Sequence, residues 1–434
     1  MFTCRTLVPV LLAAAWTLAP HGALAQAGKL RASAVKVDIT PSSSKWLAGY
    51  PARQSTGVHD RIFHRVAALD DGSTQFFLVS SDLCLFAPSV YDEMTAQLKR
   101  ETGIDPVQVW WTVTHTHSAP EVGPHGMLKL MMPERYGHEP DREYTAAVER
   151  SLIDAVKEAR EKLAPARLAA GTGLSSANIN RRARDPNGRI SLGLNPDGPA
   201  DRQIGLIRLD RLDGTAIALV ANYSMHGTAL GPQNKLISGD APGAVTAYVE
   251  EKLGAPMLFI NGAAGNMAPI YTVQENFQAA HITEFNVLLG DKILAANRSL
   301  TAVSAVRLRP GEKIVETPRR KGFGWDPGIG NYLKAAEGES GTVRLPVRFL
   351  TVNDDLALWS APVELFCEIS MDVRHRSPYR DTFYFGYSNG WLGYLATRRA
   401  FNEGGYETRT SPFTEQVEDD LTNAVVSYLQ GSVR

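Results

Sequence analysis

Val66-Ala67-Ala68-Leu69-Asp70-Asp71-Gly72-Ser73-Thr74-Gln75-Phe76-Phe77-Leu78-Val79-Ser80-Ser81-Asp82-Leu83 reads as two β-strands joined by a turn. Asp70, Asp71 and Gly72 supply the turn chemistry, and Phe76 to Val79 is apolar without alternation, the pattern of a strand buried on both faces. The pattern returns at Ile207 to Tyr223, around Asp213-Gly214, and at Val347 to Pro362, around Asn353-Asp354-Asp355. Each stretch is predicted to form a β-hairpin whose second strand is buried. Helical spacing of apolar residues predicts helices over Ser89 to Arg100, Arg142 to Leu163, Ala241 to Leu253, Phe277 to Ser299 and Phe413 to Leu429. The fold class is therefore α/β: a mixed β-sheet core built from hairpins, with flanking helices covering its faces.

Working outward to the ends, Arg5, the apolar run Leu7 to Leu18 and Ala23-Leu24-Ala25 have the layout of a secretory signal, so residues 1–25 are expected to be removed and the mature chain to start near Gln26. Residues 26–434 are then expected to form a single large domain, because no Pro/Ser-rich linker divides them. The apolar run of the signal is too short to span a bilayer comfortably, and no later stretch of about 18 apolar residues would serve as a membrane helix. The expected location is outside the cell or in the periplasm. Lys plus Arg number 45 against 46 Asp plus Glu, with no long basic run, which argues against nucleic-acid binding. Cys84 and Cys367 lie in apolar surroundings that suit either a disulfide or two buried thiols. The Gly-rich segment 319–342 is long enough to act as a lid.

A buried strand delivers its outgoing loop to the edge of a sheet, where polar residues can converge. Val107 to Val113 is predicted as a strand running into Thr114-His115-Thr116-His117, and the period of two puts His115 and His117 on one side. A His-x-His pair at a strand end suits zinc, the alternative being two hydrogen-bonded core histidines. The second hairpin is followed by His226-Gly227 and the third by Glu364 among apolar neighbours. A buried carboxylate needs a cation or hydrogen-bond donors. Two imidazoles and a carboxylate on comparable strand ends would make a catalytic zinc site with room for water. His125, on a loop just beyond the pair, is within reach of a substrate but is expected to face solvent, and His59, His64 and His138 are given no role.

Taken in order, Thr114 to Ser118, His226-Gly227-Thr228 with Asn234 to Asp240, Gly265 to Pro269, Glu364, Ser388 to Tyr394 and Glu403 to Glu407 resemble the neutral/alkaline ceramidase family over nearly the whole mature chain. The resemblance implies a zinc amidase in which His115, His226, Glu364 and Tyr394 hold Zn2+. His117 would stand behind the ligands, Tyr406 would turn its hydroxyl to the substrate carbonyl, and Arg181 would be the substrate-side arginine. There are two departures. Ala268 stands where the ceramidases carry a Ser before the Pro, and no β-rich C-terminal domain is expected after the last predicted helix.

The expected reaction is hydrolysis of an amide, an N-acyl compound such as ceramide or a related lipid, by a metal-activated water. The expected partner is a small-molecule or lipid-like amide reached by transient contact with a membrane surface, with no protein partner implied. Other readings are a zinc hydrolase of non-lipid amides or esters, and a secreted binding protein that keeps the fold without catalysis. A serine hydrolase fits Gly386-Tyr387-Ser388-Asn389-Gly390, but no histidine comes after Ser388 to complete a triad, so Ser388 is expected to cap a turn. A TIM-barrel amidohydrolase places its His-x-His at the end of the first strand, whereas at least three predicted strands precede His115.

Overall fold

The computed structural model describes residues 1–2, 28–271, 282–335 and 341–433. Most of the signal-like stretch, the beginning of the helix predicted over Phe277 to Ser299, and part of the Gly-rich segment lie outside the described residues.

After β1 (Arg31–Asp38) comes the first hairpin, β2 (Phe63–Asp70) and β3 (Gln75–Ser81), then α1 (Pro88–Thr102) and β4 (Val109–Val113). Helix α2 (Arg142–Glu161) and β5 (Ala164–Leu174) lead to the second hairpin, β6 (Gln203–Arg211) and β7 (Ala216–Tyr223), followed by α3 (Asp240–Leu253) and β8 (Met257–Asn261). Strand β9 (Leu308–Pro318) precedes the third hairpin, β10 (Gly341–Val352) and β11 (Leu356–Ser360), then α4 (Cys367–Arg376), β12 (Asp381–Phe385) and the last helix, α5 (Val417–Ser432).

One unit therefore occurs three times: an antiparallel hairpin, a helical crossover, and a strand parallel to the hairpin's second strand. The parallel pairs are β3 with β4, β7 with β8, and β11 with β12. Two units close the edges of an eight-stranded sheet, order β8-β7-β6-β5-β1-β2-β3-β4, and the third forms the sheet β9-β10-β11-β12. A parallel neighbour cannot be reached by a tight turn, which is why a helix intervenes each time. Helices α1 and α3 end on Gly103 and Gly254, both in the left-handed conformation that glycine adopts without strain.

Strands β4, β8, β11 and β12 are buried along their whole length. Side chains and backbone tie the units together: Ser80 Oγ donates to the Phe259 carbonyl at 2.6 Å, Asn222 Nδ2 to that of Tyr384 at 2.9 Å, and the Gly386 N–H to that of Asn261 at 2.8 Å. Because the last two strands of each unit run in parallel, their C-terminal ends point the same way and their outgoing loops meet.

All three predicted hairpins form. The helix predicted to begin at Phe413 starts at Val417, because Phe413 is wholly buried and bridges Arg319 instead. The described part of the fourth predicted helix is helical, with a π-helical stretch at Asn286–Gly290 running without a break into the α-helix Asp291–Asn297. Helix α4 has no counterpart in the periodicity of the sequence. Cys84 and Cys367 are both buried free thiols, which settles the choice left open by their surroundings.

Candidate metal centre

His115 comes after β4, His226 after β7 and Glu364 after β11, one from each unit. All three are buried, and one ligand atom from each lies within 4.8 Å of the others. Glu364 Oε2 is 3.4 Å from His115 Nε2 and 3.1 Å from His226 Nε2. A tetrahedral zinc ion with bonds of about 2.0–2.1 Å requires ligand atoms roughly 3.3 Å apart, so the spacing suits such an ion.

The outer nitrogens decide which face each ring presents. His115 Nδ1 lies 3.0 Å from the Cys84 carbonyl, and His226 Nδ1 lies 3.0 Å from that of Met267. A carbonyl only accepts, so each Nδ1 carries the proton and each Nε2 turns a lone pair toward the carboxylate, the usual arrangement behind metal-bound histidine. Burial first, then Arg181, brings the pKa of His226 down to about 3. Burial opposes charge on Glu364, and in the metal-free site it is a proton on a facing imidazole, His115 before His226, that holds its carboxyl well below the usual range; a divalent ion would take the place of that proton. Neutral imidazole and ionised carboxylate are the forms that bind a divalent cation.

Glu364 Oε1 accepts from Trp391 Nε1 at 2.9 Å, and its Oε2 accepts from Tyr387 Oη at 3.3 Å. The Tyr387 ring also stacks on His115, centroids 4.1 Å apart. His115 and Tyr387 both hold left-handed backbone, φ 62° and 53°, which non-glycine residues adopt at a cost of about 1–3 kcal/mol when the surroundings enforce it. Asn261 joins two ligand loops, its Nδ2 donating to the carbonyls of Met225 at 2.7 Å and Thr114 at 3.2 Å. Sequence reading missed Tyr387, Trp391 and Asn261, although Trp391 lies within Ser388 to Tyr394 and Asn261 directly precedes Gly262.

The other expected residues gather around this cluster. His117 Nε2 is 3.2 Å from His115 Nε2, and its buried Nδ1 has no hydrogen-bond partner among the described residues. Burial foremost, then His115 and His226, holds His117 neutral. Tyr394 is paired with Glu364 in a short parallel bridge of strands, and its hydroxyl accepts from Arg181 Nη2 at 3.0 Å. Arg181 also reaches His226 Nε2 at 2.9 Å and donates through Nε to Glu407 Oε1 at 3.0 Å. The Tyr406 ring meets that of Tyr394 edge-on at 5.7 Å, and its hydroxyl donates to Met132 Sδ at 3.5 Å. A second ligand set shares His115 with Cys84 and His117. It suits an ion less well, because burial and Glu364 push the Cys84 thiol well above its usual pKa.

Ser388 is buried and donates to the carbonyl of Phe385 at 2.8 Å, as a turn-capping serine does. His125 departs from expectation. It is 6% exposed, not in solvent, because its ring is held by Glu121 and Tyr136.

Residues 32–278 match the family described as neutral/alkaline non-lysosomal ceramidase, N-terminal. His115, His117, Arg181 and His226 fall inside that match, and Glu364, Tyr394 and Tyr406 beyond it. A neutral ceramidase of Mycobacterium tuberculosis is 27% identical over 215 residues, 48% of this chain and 33% of the relative. Neutral ceramidase B of Dictyostelium discoideum is 27% identical over 232 residues, 50% of this chain and 31% of the relative. The match thus spans about a third of the length of these curated relatives. The crystal structure of neutral ceramidase from Pseudomonas aeruginosa superposes with a TM-score of 0.75 at 19% identity, covering 92% of this chain and 73% of that one. A ceramidase complexed with C2 gives the same TM-score at 18% identity, covering 92% and 74%. These likenesses establish the fold.

Proposed function

The chain belongs to the neutral/alkaline non-lysosomal ceramidase family, and from that premise we propose that it is an exported, zinc-dependent amidase acting on N-acyl amides of lipid-like character, with residues 26–434 as one catalytic unit. The observation that carries this reading is the convergence of two Nε2 lone pairs, their Nδ1 protons given to backbone carbonyls, on one oxygen of an ionised Glu364. Three facing electron-rich atoms repel unless positive charge lies among them. Arg181 meets part of that need at His226, and a divalent ion meets the rest.

His115, His226, Glu364 and Tyr394 would hold the ion. Burial drives the Tyr394 phenol well above its ordinary pKa while Arg181 pulls the other way, and the added charge of a metal would favour the ligating form. When bound, zinc supplies Lewis acidity toward a carbonyl and acidifies water to a pKa near 7. The residues of the chain do the remainder. Arg181, engaged with Glu407, His226 and Tyr394, fixes two of the ligands in place. Tyr406 gives its proton to a thioether, a weak acceptor that a substrate carbonyl oxygen would readily displace. His117, neutral and with its Nε2 turned to His115, can take the proton released by water and pass it to the departing amine. Water oxygen joins the acyl carbon, the carbon–nitrogen bond breaks, and the amine leaves neutral.

The test is metal content and hydrolysis measured on one sample against a panel of N-acyl amides and the matching esters. The expected result is bound zinc, chelator-sensitive cleavage with amides preferred, and loss of activity together with one equivalent of metal in His226→Ala. A folded protein that cleaves amides equally well after His226→Ala would sink the proposal, and one that binds the amides without cleaving them would favour the binding-protein reading.

A further inference from the structure

Just beyond the His-x-His pair, the segment 121–138 folds back on itself and brings Glu121, His125 and His138 together. His125 Nε2 lies 3.0 Å and His138 Nε2 2.8 Å from one and the same oxygen, Glu121 Oε2. The side chains are 11%, 4% and 11% exposed for Glu121, His125 and His138. Among the described residues no Lys or Arg forms an ion pair with Glu121; its ion pairs are to the two imidazoles.

The rings are held rather than loosely placed. Trp46 stacks flat on His138, centroids 4.1 Å apart with 16° between planes, and the Trp46 carbonyl accepts from the Glu121 N–H at 3.0 Å. The His125 ring lies 4.9 Å from both Tyr136 and His138. Three preset donors, one ligand atom from each within 4.8 Å of the others, thus surround a common point. Two imidazole nitrogens and a carboxylate oxygen are the donor set of a tetrahedral zinc site with a position left open, and its edges of roughly 3.3 Å need the 3.0 and 2.8 Å contacts to widen by only a few tenths of an ångström.

We propose that Glu121, His125 and His138 form a second divalent-cation site, of zinc type, separate from the centre at His115. The same segment carries Met132, against which the Tyr406 hydroxyl rests. Glu121 and His125 also line a crevice with Cys84, whose carbonyl orients His115. An ion here pins the wall of the first centre.

The experiment strips the full chain with chelator, refills it with Zn2+, dialyses it, and measures metal per chain by mass spectrometry, with Co2+ spectra as a second readout. Wild type is expected to retain two ions. His138→Ala and Glu121→Gln should retain one, and His226→Ala also one. The two losses should remove different ligand-field bands from the Co2+ spectrum. A wild type that holds one ion, kept in Glu121→Gln and His138→Ala and lost in His226→Ala, overturns the second site and leaves the first standing. One ion lost in Glu121→Gln and kept in His226→Ala supports this site and sinks the first. No retained ion in wild type overturns both. If His138→Ala fails to fold, Glu121→Gln and the wild-type count still decide, since glutamine preserves an acceptor for one imidazole while removing the charge.

Discussion

His115, His226 and Glu364 owe their arrangement to groups outside the cluster itself. The carbonyls of Cys84 and Met267 select the imidazole tautomers, and Trp391 and Tyr387 occupy the donor-seeking sides of the carboxylate. At this scale the informative substitution is Tyr406→Phe, because the hydroxyl has only the Met132 thioether and the Arg135 guanidinium beside it. If it stabilises charge on a substrate oxygen, its loss should lower kcat/KM by about 10²–10³, with zinc content and melting temperature unchanged. Steady-state kinetics beside metal analysis would read this out. His115, His226 and Glu364 were legible in the sequence as residue types at the ends of strands, whereas Tyr394 joined the proposed set only through the family resemblance. His138 and Glu121 were not legible, since nothing in a linear sequence distinguishes a surface histidine from one stacked on a distant tryptophan.

The loops leaving the strands decide how closely the ligands approach one another. Thr116 bridges Gly227, and a Cβ on Gly227 would stand 2.7 Å from both the His115 carbonyl oxygen and the Thr116 Cα. A Cβ on Gly265 would stand 2.6 Å from the Glu364 carbonyl oxygen. These obstacles are backbone and cannot rotate away. Gly227→Ala should therefore push the His115 and His226 loops apart and abolish retained metal at that centre although no ligand changes. Equilibrium dialysis with zinc would show it, and wild-type retention by the folded variant would refute the argument. The hairpins were readable because turn residues and apolar runs are local signals. The crossover strand β4 was read with them, whereas β8, β12 and helix α4 were less legible, because their partners lie in other parts of the chain.

Across the whole molecule, buried neutral histidines couple stability to acid. His64, which belongs to neither candidate metal cluster, donates from Nε2 to the Val148 carbonyl at 3.1 Å while its Nδ1 accepts from Ser81 Oγ at 2.6 Å. Burial lowers its pKa from 6.5 to about 4. Between those values the unfolded chain binds a proton that the folded chain refuses, so stability falls as pH drops from 6.5, by about 3 kcal/mol once it reaches 4. Denaturant unfolding of the metal-free protein across that range should show the decline, and His64→Gln should make it shallower, the remainder coming from His117 and His226. A pH-independent difference between the two proteins would remove His64 as the cause.

Local chemistry determined the hairpins, most of the long helices, the mixed α/β class and the residue types suited to a metal, because turn propensity, apolar periodicity and side-chain donors are properties of neighbouring residues. Tertiary structure alone decided that His115, His226 and Glu364 share one point, that Arg181 braces two of the proposed ligands, that the two thiols stay apart, and that His125 is buried with His138 against Glu121. Each of these is a distance between residues separated along the chain, and such distances are set by how whole strands and loops pack, which no local pattern encodes.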